Sequence, residues 1–460
     1  MTLADLVEAT GGRVDGGDLS IPIEGLSTDS RLLTPGQAFV ALAGPHHDGH
    51  DHLADAAGRG ASALVCQAGR GKREPGAVHL EVSDTLYALG EIARWHRSRF
   101  DCPLVAITGS NGKTTTKEML RSVLALHHGP EAVLANEGNL NNLIGLPLSL
   151  MGLAERHRVA VLEMGTSAPG EITRLTEIAS PTHALITSIG PAHLEGLGSI
   201  DGVAVAKGEL FRGLSDAGTC LVNTDDERIA EQAALAARIR FDYGRGGRVW
   251  AGEVDAGRVG SLAFTLSTGD GAVRVVLGFG GRHNVTNAVA AAAAGLALGV
   301  DLETVVEGLA SCRPPPMRAG AERLANGVTL INDCYNANPA SLEAALDLLE
   351  EAAPGRRIVV LGDMLELGPE TERLHEDAGK QAARLGPSLV CAVGEQAAAV
   401  CRGARSAGLG PQEAVAASDR AEAAEAVAAV WRSGDTVLVK GSRAARMEEV
   451  VSLLCGKAQA

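Results

Sequence analysis

The sequence predicts an α/β protein of three domains. A central domain with a parallel sheet and a phosphate-binding loop is flanked by a small N-terminal α/β domain and a Rossmann-like C-terminal domain. A chain of 460 residues exceeds the size of one ordinary hydrophobic core. From residue 104 onward, continuous apolar runs alternate with helical patterns, which is typical of parallel sheets covered on both faces. Three consecutive prolines, at 314–316, exclude a helix and separate two such series.

Two short segments mark the expected domain boundaries. Asp101–Pro103 follows an amphipathic helical pattern and precedes the first continuous apolar run. Arg313–Pro316 follows the last helical pattern of the central series. We therefore expect domains at 1–100, 101–312 and 313–460.

The apolar patterns place most strands and helices. The interval Arg248–Gly278 differs because apolar and polar residues alternate around Gly and Asp, which predicts antiparallel strands at a sheet edge. The other predicted strands lie in Gly36–Gly44, Leu104–Thr108, Arg158–Met164, His183–Gly190, Gly218–Asn223, Val328–Asp333, Arg357–Asp363, Ser388–Gly394 and Asp435–Gly441. The segment His52–Gln67 reads as a helix, a Gly turn and a strand, and predicted helices lie in Tyr87–Phe100, Asn284–Leu298, Pro339–Ala352, Glu370–Leu385 and Arg420–Arg432.

Composition excludes several classes of protein. The net charge of −15 argues against a general nucleic-acid binder, although local basic clusters can still hold phosphate. The eight cysteines show no C-x-x-C spacing, so neither a zinc site nor a disulfide framework is indicated. The N-terminus lacks the pattern of a signal peptide, and no apolar run is long enough to span a membrane. We expect a cytoplasmic monomer that neither binds nucleic acid nor inserts into a membrane.

The segment Val105–Lys117, VAITGSNGKTTTK, is the most informative part of the chain. An apolar strand enters a Gly-rich turn that leads into a helix, which is the layout of a phosphate cradle. Lys113 supplies a point charge, and Thr114 or Thr115 can offer a hydroxyl to magnesium. The strict Walker pattern requires Gly where Ile107 stands, so a chance Gly-rich turn is the alternative.

Three polar residues follow predicted strands of the central domain. Glu163 ends one strand, His193 comes just past the next, and Lys207 lies on an apparent helix. Ligands bind at strand ends in open parallel sheets, so these residues can ligate magnesium or position a substrate. Taken singly, a solvated acid, a loop histidine and a surface lysine are the more common cases.

Asparagine is concentrated in two places. The run Asn136–Leu150 is either a turn with a helix cap or a loop that grips a polar ligand. Asn284 and Asn287 share one face at the start of a helix, so one could cap the helix while the other reads an adenine edge.

Polar residues also follow three predicted strands of the last domain. They are either ordinary loop residues or a second binding face at one sheet edge. The residues are Asp333, Asn336, Asn338, Asp363, Lys440, Ser442 and Arg443.

The ordered motifs of the chain resemble those of the Mur ligases of peptidoglycan synthesis. The resemblance covers nearly the whole sequence, and within it the chain is most similar to the member that adds D-alanyl-D-alanine. No DNPR motif, typical of the member that adds the third residue, is present. Cys334 stands where family members often carry Ser. The matching segments are STDSR, DGHD, TGSNGKTT, NxNN-IG-PL, LEMGTSAPGEI, AHLEGLGS, AKGEL, GRHNVTN, MRAGAE, NDCYNANPAS, LGDMLELG and KGSRA.

The resemblance implies a P-loop ATPase domain in the centre, a UDP-substrate domain before it and a domain for the incoming dipeptide after it. It implies that ATP is held by Gly109, Ser110, Asn111, Gly112, Lys113, Thr114, Thr115, Asn287, Arg318 and Asp333. Two Mg²⁺ ions would be held by Thr114, Glu163, His193 and a carbamylated Lys207, and the catalytic residues would be Lys113, Glu163, His193 and Lys207. Ser30 and Arg31 would contact the UDP end, and the other substrate-binding residues would be Asn139, Asn142, Asn336, Asn338, Lys440 and Ser442.

The implied activity is an ATP-dependent amide ligation through an acyl phosphate. UDP-N-acetylmuramoyl-tripeptide and D-alanyl-D-alanine would be the substrates, with either meso-diaminopimelate or lysine as the third residue of the tripeptide. The alternatives are another Mur-type ligase, a polyglutamate-type ligase, or an ATP-binding module without ligase chemistry.

Overall fold

The computed structural model describes residues 1–14, 17–258, 260–352 and 355–459. Within these ranges the strands form three sheets, of five, nine and six strands, and helices cover them. The predicted three-domain α/β architecture is therefore confirmed. No helix in the described part of the chain is both long enough and apolar enough to cross a bilayer.

The first sheet is small and mostly parallel. Its strand order is β1-β5-β4-β3-β2, and only the β1–β5 pair is antiparallel. The strands are β1 (Arg13–Val14), β2 (Gly25–Ser27), β3 (Gln37–Val40), β4 (Ala63–Gln67) and β5 (His79–Val82). The helices are α1 (Leu3–Thr10), α2 (Leu53–Gly58) and α3 (Thr85–Arg97).

The central sheet has the order β14-β13-β12-β11-β10-β9-β6-β8-β7. Its strands are β6 (Leu104–Thr108), β7 (Val133–Ala135), β8 (Val159–Glu163), β9 (His183–Ile186), β10 (Thr219–Asn223), β11 (Ile239–Tyr243), β12 (Val249–Arg258), β13 (Ser261–Thr268) and β14 (Gly271–Leu277). Its helices are α4 (Lys113–His128), α5 (Gly145–Leu150), α6 (Glu171–Ala179), α7 (Leu194–Leu197), α8 (Ile200–Arg212), α9 (Glu227–Ala236), α10 (His283–Ala297) and α11 (Leu302–Ser311).

Burial explains why the apolar runs of this domain predicted its strands well. Every residue of β6 and β8 is buried, because helices cover both faces of the sheet. The interval 248–278 forms the antiparallel strands β12 to β14 at one edge, as its alternation predicts. Helix α10 is largely alanine on its buried face, and these small side chains let it pack closely against α4 and the sheet.

The third sheet has the order β15-β16-β20-β17-β18-β19, with only β15 antiparallel to its neighbour. The strands are β15 (Gly320–Arg323), β16 (Thr329–Asp333), β17 (Arg357–Gly362), β18 (Leu389–Val393), β19 (Ala414–Ala417) and β20 (Thr436–Lys440). The helices are α12 (Pro339–Ala352), α13 (Thr371–Arg384), α14 (Ala397–Ser406), α15 (Arg420–Val430) and α16 (Glu448–Gln459).

Strand order determines where ligands can bind. In the central sheet β6 lies between β8 and β9, and the chain leaves β6 towards one side of the sheet and returns on the other. The loop after β6 therefore lies at the switch point where open α/β sheets bind ligands. In the third sheet β20 lies between β16 and β17, so the loops after three adjacent parallel strands share one edge. These two edges carry most of the polar residues that the sequence analysis identified.

Candidate functional site

The loop between β6 and α4 requires glycine at two positions. Gly109 and Gly112 both have positive φ, +151° and +83°. A Cβ at Gly109 would come within 1.9 Å of Thr187 Oγ1, and one at Gly112 within 2.2 Å of Asn287 Oδ1. Ile107, which breaks the strict Walker pattern, is a buried residue inside β6 and contributes nothing to the turn. The mismatch therefore leaves the turn intact.

The loop is held against the segment that follows β9. Ser110 N–H donates to the carbonyl of Ser188 at 2.8 Å, and the Ser110 hydroxyl donates to the carbonyl of Gly190 at 2.9 Å. Asn111 N–H donates to Ser188 Oγ at 3.0 Å. Helix α4 begins without a side-chain cap, so its first-turn N–H groups remain available to an anion.

Lys113 and Thr114 occupy the first turn of α4. Lys113 Nζ donates to the carbonyl of Gly109 at 2.8 Å. Burial lowers the Lys113 pKa, and the nearby Glu163 opposes that shift. Thr114 Oγ1 donates to Glu163 Oε2 at 2.8 Å. The phosphate loop and the end of β8 therefore form one cluster.

Two asparagines fix Glu163 at the end of β8. Asn136 donates to the Glu163 carbonyl at 3.0 Å and accepts from its N–H at 2.9 Å. Asn141 donates to Glu163 Oε1 at 2.8 Å. Sequence reasoning chose Asn139 and Asn142 from this run instead. Asn139 is exposed, and Asn142 Oδ1 accepts from Gly145 N–H at 2.8 Å at the start of α5, which is the capping role that the sequence left open.

Asn136 could have been found from the sequence, because it directly follows β7 at the sheet edge that carries Glu163. For Asn141 there was no such signal. Its contact depends on how the loop before α5 folds back over β8.

Lys207 lies on α8 with only 1% of its surface exposed. Burial lowers its pKa well below the ordinary value, the charge of Lys113 lowers it further, and Glu163 acts in the opposite direction. Lys207 therefore lies close enough to Lys113 and Glu163 for their charges to influence it.

His193 directly precedes α7 and has a left-handed backbone, with φ of +53°. Its Nδ1 contacts the Glu366 carboxylate of the third domain, and this contact lowers the Glu366 pKa. His193 lines a cavity together with Ser110 and Lys113. Sequence reasoning missed Glu366, although it follows β17 in the quoted LGDMLELG segment.

The residues present fit magnesium better than a softer metal. Among the described residues, no three His, Cys, Asp or Glu side chains form a group that could hold a metal by themselves. Thr114 Oγ1 and Glu163 Oε2 are two potential oxygen ligands for a metal ion, and they lie only 2.8 Å apart. Mg²⁺ prefers oxygen and is commonly bound by one or two protein groups together with waters and substrate phosphates.

A first cavity of about 280 Å³ lies on the α10 side of the phosphate loop, between the central and third domains. Asn284 donates to the Gly280 carbonyl at 2.7 Å, and Asn287 donates to Asn284 Oδ1 at 3.0 Å. The suggestion that one of the two could cap α10 is wrong, because neither accepts a hydrogen bond from a first-turn N–H. The polar lining residues include Asn111, Thr115, His283, Asn284, Asn287, Arg318, Asp333 and Lys440.

Arg318 connects the third domain to the phosphate loop. Its Nη2 donates to Thr114 Oγ1 at 3.3 Å, and its guanidinium stacks 4.1 Å from the centre of the Tyr335 ring. The neighbours Met317 and Ala319 have φ of +60° and +54°, a conformation that costs non-glycine residues energy. Sequence reasoning missed Tyr335.

At the edge of the third sheet, Asp333 and Lys440 pair with each other. Lys440 Nζ lies 2.5 Å from Asp333 Oδ2 and also donates to the Asn336 carbonyl at 3.1 Å. Asp333 Oδ1 accepts from Ala319 N–H at 3.0 Å. Asn338 Nδ2 donates across the domain boundary to Asn111 Oδ1 at 2.9 Å. The third domain therefore lies directly against the phosphate loop.

A second cavity of about 230 Å³ lies on the other side of the same loop. Ser442 Oγ, at its wall, accepts from Leu365 N–H at 2.9 Å. Asp363 does not line this cavity and fits the ordinary loop alternative, because its carboxylate accepts the N–H groups of Glu395 and Gln396 at 2.9 and 3.0 Å. The polar lining residues are Ser110, Lys113, His193, Asn336, Asn338, Glu366, Ser442 and Arg443.

Ser30 and Arg31 lie in the first domain. Ser30 is buried, whereas Arg31 is exposed and pairs with Asp29 at 2.7 Å. None of the contacts described for these two residues reaches the phosphate loop.

Three family models match the chain in order. They are the Mur ligase family catalytic domain at residues 22–97, the Mur ligase middle domain at 107–295, and the Mur ligase glutamate ligase domain at 318–443. UDP-N-acetylmuramoyl-tripeptide–D-alanyl-D-alanine ligase of Escherichia coli K12 is 38% identical, over 99% of this chain and 98% of the relative. The chain belongs to the Mur ligase family.

Solved structures of Mur ligases share the whole architecture. MurF from Acinetobacter baumannii is 34% identical, with a TM-score of 0.90 over 99% of this chain and 98% of that one. MurF ligase from Thermotoga maritima in complex with ADP is 27% identical, with a TM-score of 0.84 over 96% and 99%.

Proposed function

We propose that this Mur ligase joins D-alanyl-D-alanine to UDP-N-acetylmuramoyl-tripeptide, with ATP cleaved to ADP and phosphate. The observation that carries the proposal is that the phosphate loop stands between two cavities. One contains Asn287 and Arg318, and the other contains Lys113 and Ser442. A ligase needs both a nucleotide site and an acceptor site at its phosphate-transfer point. The relatives that carry this activity in their names are similar over their full length.

ATP occupies the first cavity in this proposal. Gly109, Ser110, Asn111, Gly112 and the first turn of α4, Lys113 to Thr115, hold its phosphates. Asn287 faces the adenine, and Arg318 and Asp333 approach the nucleotide from the third domain. The open N-terminus of α4 and the ADP complex of the Thermotoga maritima enzyme support this assignment.

Two Mg²⁺ ions would accompany the triphosphate. Thr114 and Glu163 would hold one, and His193 and a carbamylated Lys207 would hold the other. When bound, magnesium would neutralise the negative charge that builds up on the transferring phosphoryl group. Carbamylation of Lys207 is favoured by its depressed pKa, because only a neutral amine adds to CO₂. The product is an anion, which balances the neighbouring charge of Lys113.

The chain's own residues address the central obstacle, which is repulsion between an anionic acid and an anionic triphosphate. The terminal carboxylate of the tripeptide attacks the γ-phosphorus, forming an acyl phosphate and releasing ADP. Lys113 and Arg318 stabilise the charge during this transfer. The dipeptide amine then attacks the acyl carbon, loses a proton, and expels phosphate. The contacts of Asn338 with Asn111 and of Glu366 with His193 close the third domain over the site and limit hydrolysis.

The remaining residues divide between the two ends of the reaction. Ser30 and Arg31 contact the UDP end. Asn139 lies along the path of the first substrate, and Asn142 shapes that path by holding the start of α5. The dipeptide is held by Asn336, Asn338, Lys440 and Ser442 at the edge of the third sheet. Domains at 1–100, 101–312 and 313–460, with a joint at 313–316, allow that edge to approach and withdraw. One chain supplies both cavities, which supports a monomer.

Phosphate release tests the proposal. With ATP and Mg²⁺, release is expected only when UDP-N-acetylmuramoyl-tripeptide and D-alanyl-D-alanine are both present, and the amide product should be detected by mass. Equal release without either substrate would instead favour an ATP-binding module. Release stimulated by a folate and glutamate would favour a polyglutamate-type ligase.

A further inference from the structure

The loop after β9 of the central domain meets the loop after β17 of the third domain. His193 Nδ1 contacts Glu366 Oε2, and Glu195 N–H donates to the carbonyl of Glu366 at 3.4 Å. Glu366 therefore contacts the facing loop through both its side chain and its main chain.

Both partners of this contact hold an unfavourable backbone conformation. His193 has φ of +53° and Glu366 has φ of +63°. Such a conformation is unfavourable for a residue that carries a Cβ. The neighbours of Glu366 are fixed, because Leu365 N–H donates to Ser442 Oγ and Met364 N–H donates to His375 Nε2, each at 2.9 Å. The surrounding structure therefore holds the Glu366 side chain towards His193.

Stability does not account for this pairing. The side chains of His193 and Glu366 are 28% and 54% exposed, and a polar contact so accessible to water adds little to the stability of the fold. Strain on both sides of a weak contact indicates a functional constraint. The contact lies at the wall of the 230 Å³ cavity, which Lys113 also lines.

We propose that Glu366 is a positioning residue that acts through His193. Its carboxylate accepts the Nδ1–H of the imidazole, fixes that tautomer, and leaves Nε2 to bind a divalent cation in the cavity. This inference rests on the proposed function, in which His193 holds magnesium. Histidines that bind metals commonly donate their other N–H to a carboxylate. Because Glu366 belongs to the third domain, the metal ligand is fully oriented only when that domain is docked.

Manganese binding tests the proposal without turnover. The affinity of the whole enzyme for Mn²⁺ in the presence of ADP is measured by electron paramagnetic resonance. Glu366→Ala is expected to weaken binding by about 10–100-fold, the usual effect of removing such a partner. Glu366→Gln should recover part of the loss, because its amide oxygen can still accept from Nδ1–H. Glu350→Gln, at an exposed position on α12 of the same domain, is the control and should bind as the native enzyme does.

A double variant separates positioning from a general effect. His193→Ala combined with Glu366→Ala should weaken Mn²⁺ binding no more than His193→Ala alone, since Glu366 acts only through the imidazole. Native affinity in Glu366→Ala, or an equal loss in Glu350→Gln, would overturn the proposal. Loss of ADP-induced compaction in X-ray scattering with unchanged Mn²⁺ affinity would show a domain latch instead. If the native enzyme itself binds no Mn²⁺ with ADP, the proposed function fails as well.

Discussion

Two halves of the site are built in different ways. The cluster of Thr114, Glu163, Asn141 and Lys207 lies wholly within the central domain, and the hydrogen bonds of Glu163 are made by that domain alone. The other half consists of contacts that cross to the third domain, such as that of Arg318 with Thr114. The first half is therefore preassembled by one sheet, whereas the second depends on the position of another domain. Substitutions in the first half should remove chemistry. In the second half, loss of a neutral crossing contact such as that of Asn338 with Asn111 should mainly change binding.

Lys113→Ala should cause the largest loss. Removing a preorganised positive group at the transferring phosphoryl should lower turnover by about 10²–10³-fold. Among the described residues, the Lys113 side chain makes a single hydrogen bond, to the Gly109 carbonyl, so the fold should remain intact. Phosphate release with both substrates measures the effect, and thermal unfolding checks the fold. Exposed Lys72→Ala is the matched control. Turnover within a few-fold of native would remove Lys113 from its assigned role.

Lys207→Ala should be the next most damaging. The side chain is buried beside Lys113 and Glu163, so its loss removes the anion that carbamylation would supply and leaves a cavity. We expect turnover to fall by about 10²-fold, with partial recovery when a short carboxylic acid such as acetate or propionate fills the space. Native turnover without any addition would show that no carbamate is needed. Recovery by an equal-sized alcohol would show that only the cavity matters.

Sequence reasoning located the preassembled half more completely than the other. Glu163 and the phosphate loop follow buried parallel strands, and such strands can be recognised from their apolar runs alone. Lys207 was found on its helix, but its carbamylation was inferred only from the family resemblance. The end of a strand is recognised from the local sequence, so it can be predicted without knowledge of the tertiary structure.

The half of the site that depends on contacts with the third domain was predicted only in part. Glu366 was missed because its significance depends on His193, which is distant in sequence and reaches it only through domain packing. Tyr335 was missed because it stacks on Arg318 only once β15 and β16 have paired within the third domain. Asp363 also follows a strand, so the sequence left open whether it faces the crevice. Its carboxylate instead accepts the main-chain N–H groups of Glu395 and Gln396. A strand-end position gives the edge of the sheet but not the direction of the side chain.

Asn141 and Asn142 are neighbours in the central domain, and we expect one to support the metal site and the other to support the fold. Asn141→Ala removes the amide that orients Glu163. The Mg²⁺ concentration needed for half-maximal turnover should therefore rise by about tenfold or more. Asn142→Ala removes a hydrogen bond at the start of α5, and should lower the free energy of unfolding by about 1 kcal/mol. Activity at a series of Mg²⁺ concentrations and thermal unfolding separate the two effects. A reversed pattern would show that Asn142, as the sequence suggested, is the residue that faces the ligand.

The smallest effect is expected at the Asn338–Asn111 contact. Asn338→Ser keeps a side-chain oxygen for Ser341 N–H, which Asn338 Oδ1 accepts at 2.8 Å, but loses the amide that donates to Asn111. Asn338 also accepts a longer hydrogen bond from Asn111 Nδ2, at 3.3 Å. One neutral hydrogen bond contributes about 1 kcal/mol and the longer one less, so the KM for ATP or the dipeptide should rise by about fivefold or somewhat more, with little change in kcat. Asn111→Ser combined with Asn338→Ser should add little to either single change, because both remove the same contact. A fall in kcat as large as that of Lys207→Ala would contradict the division, since the crossing contacts would then belong to the chemistry itself.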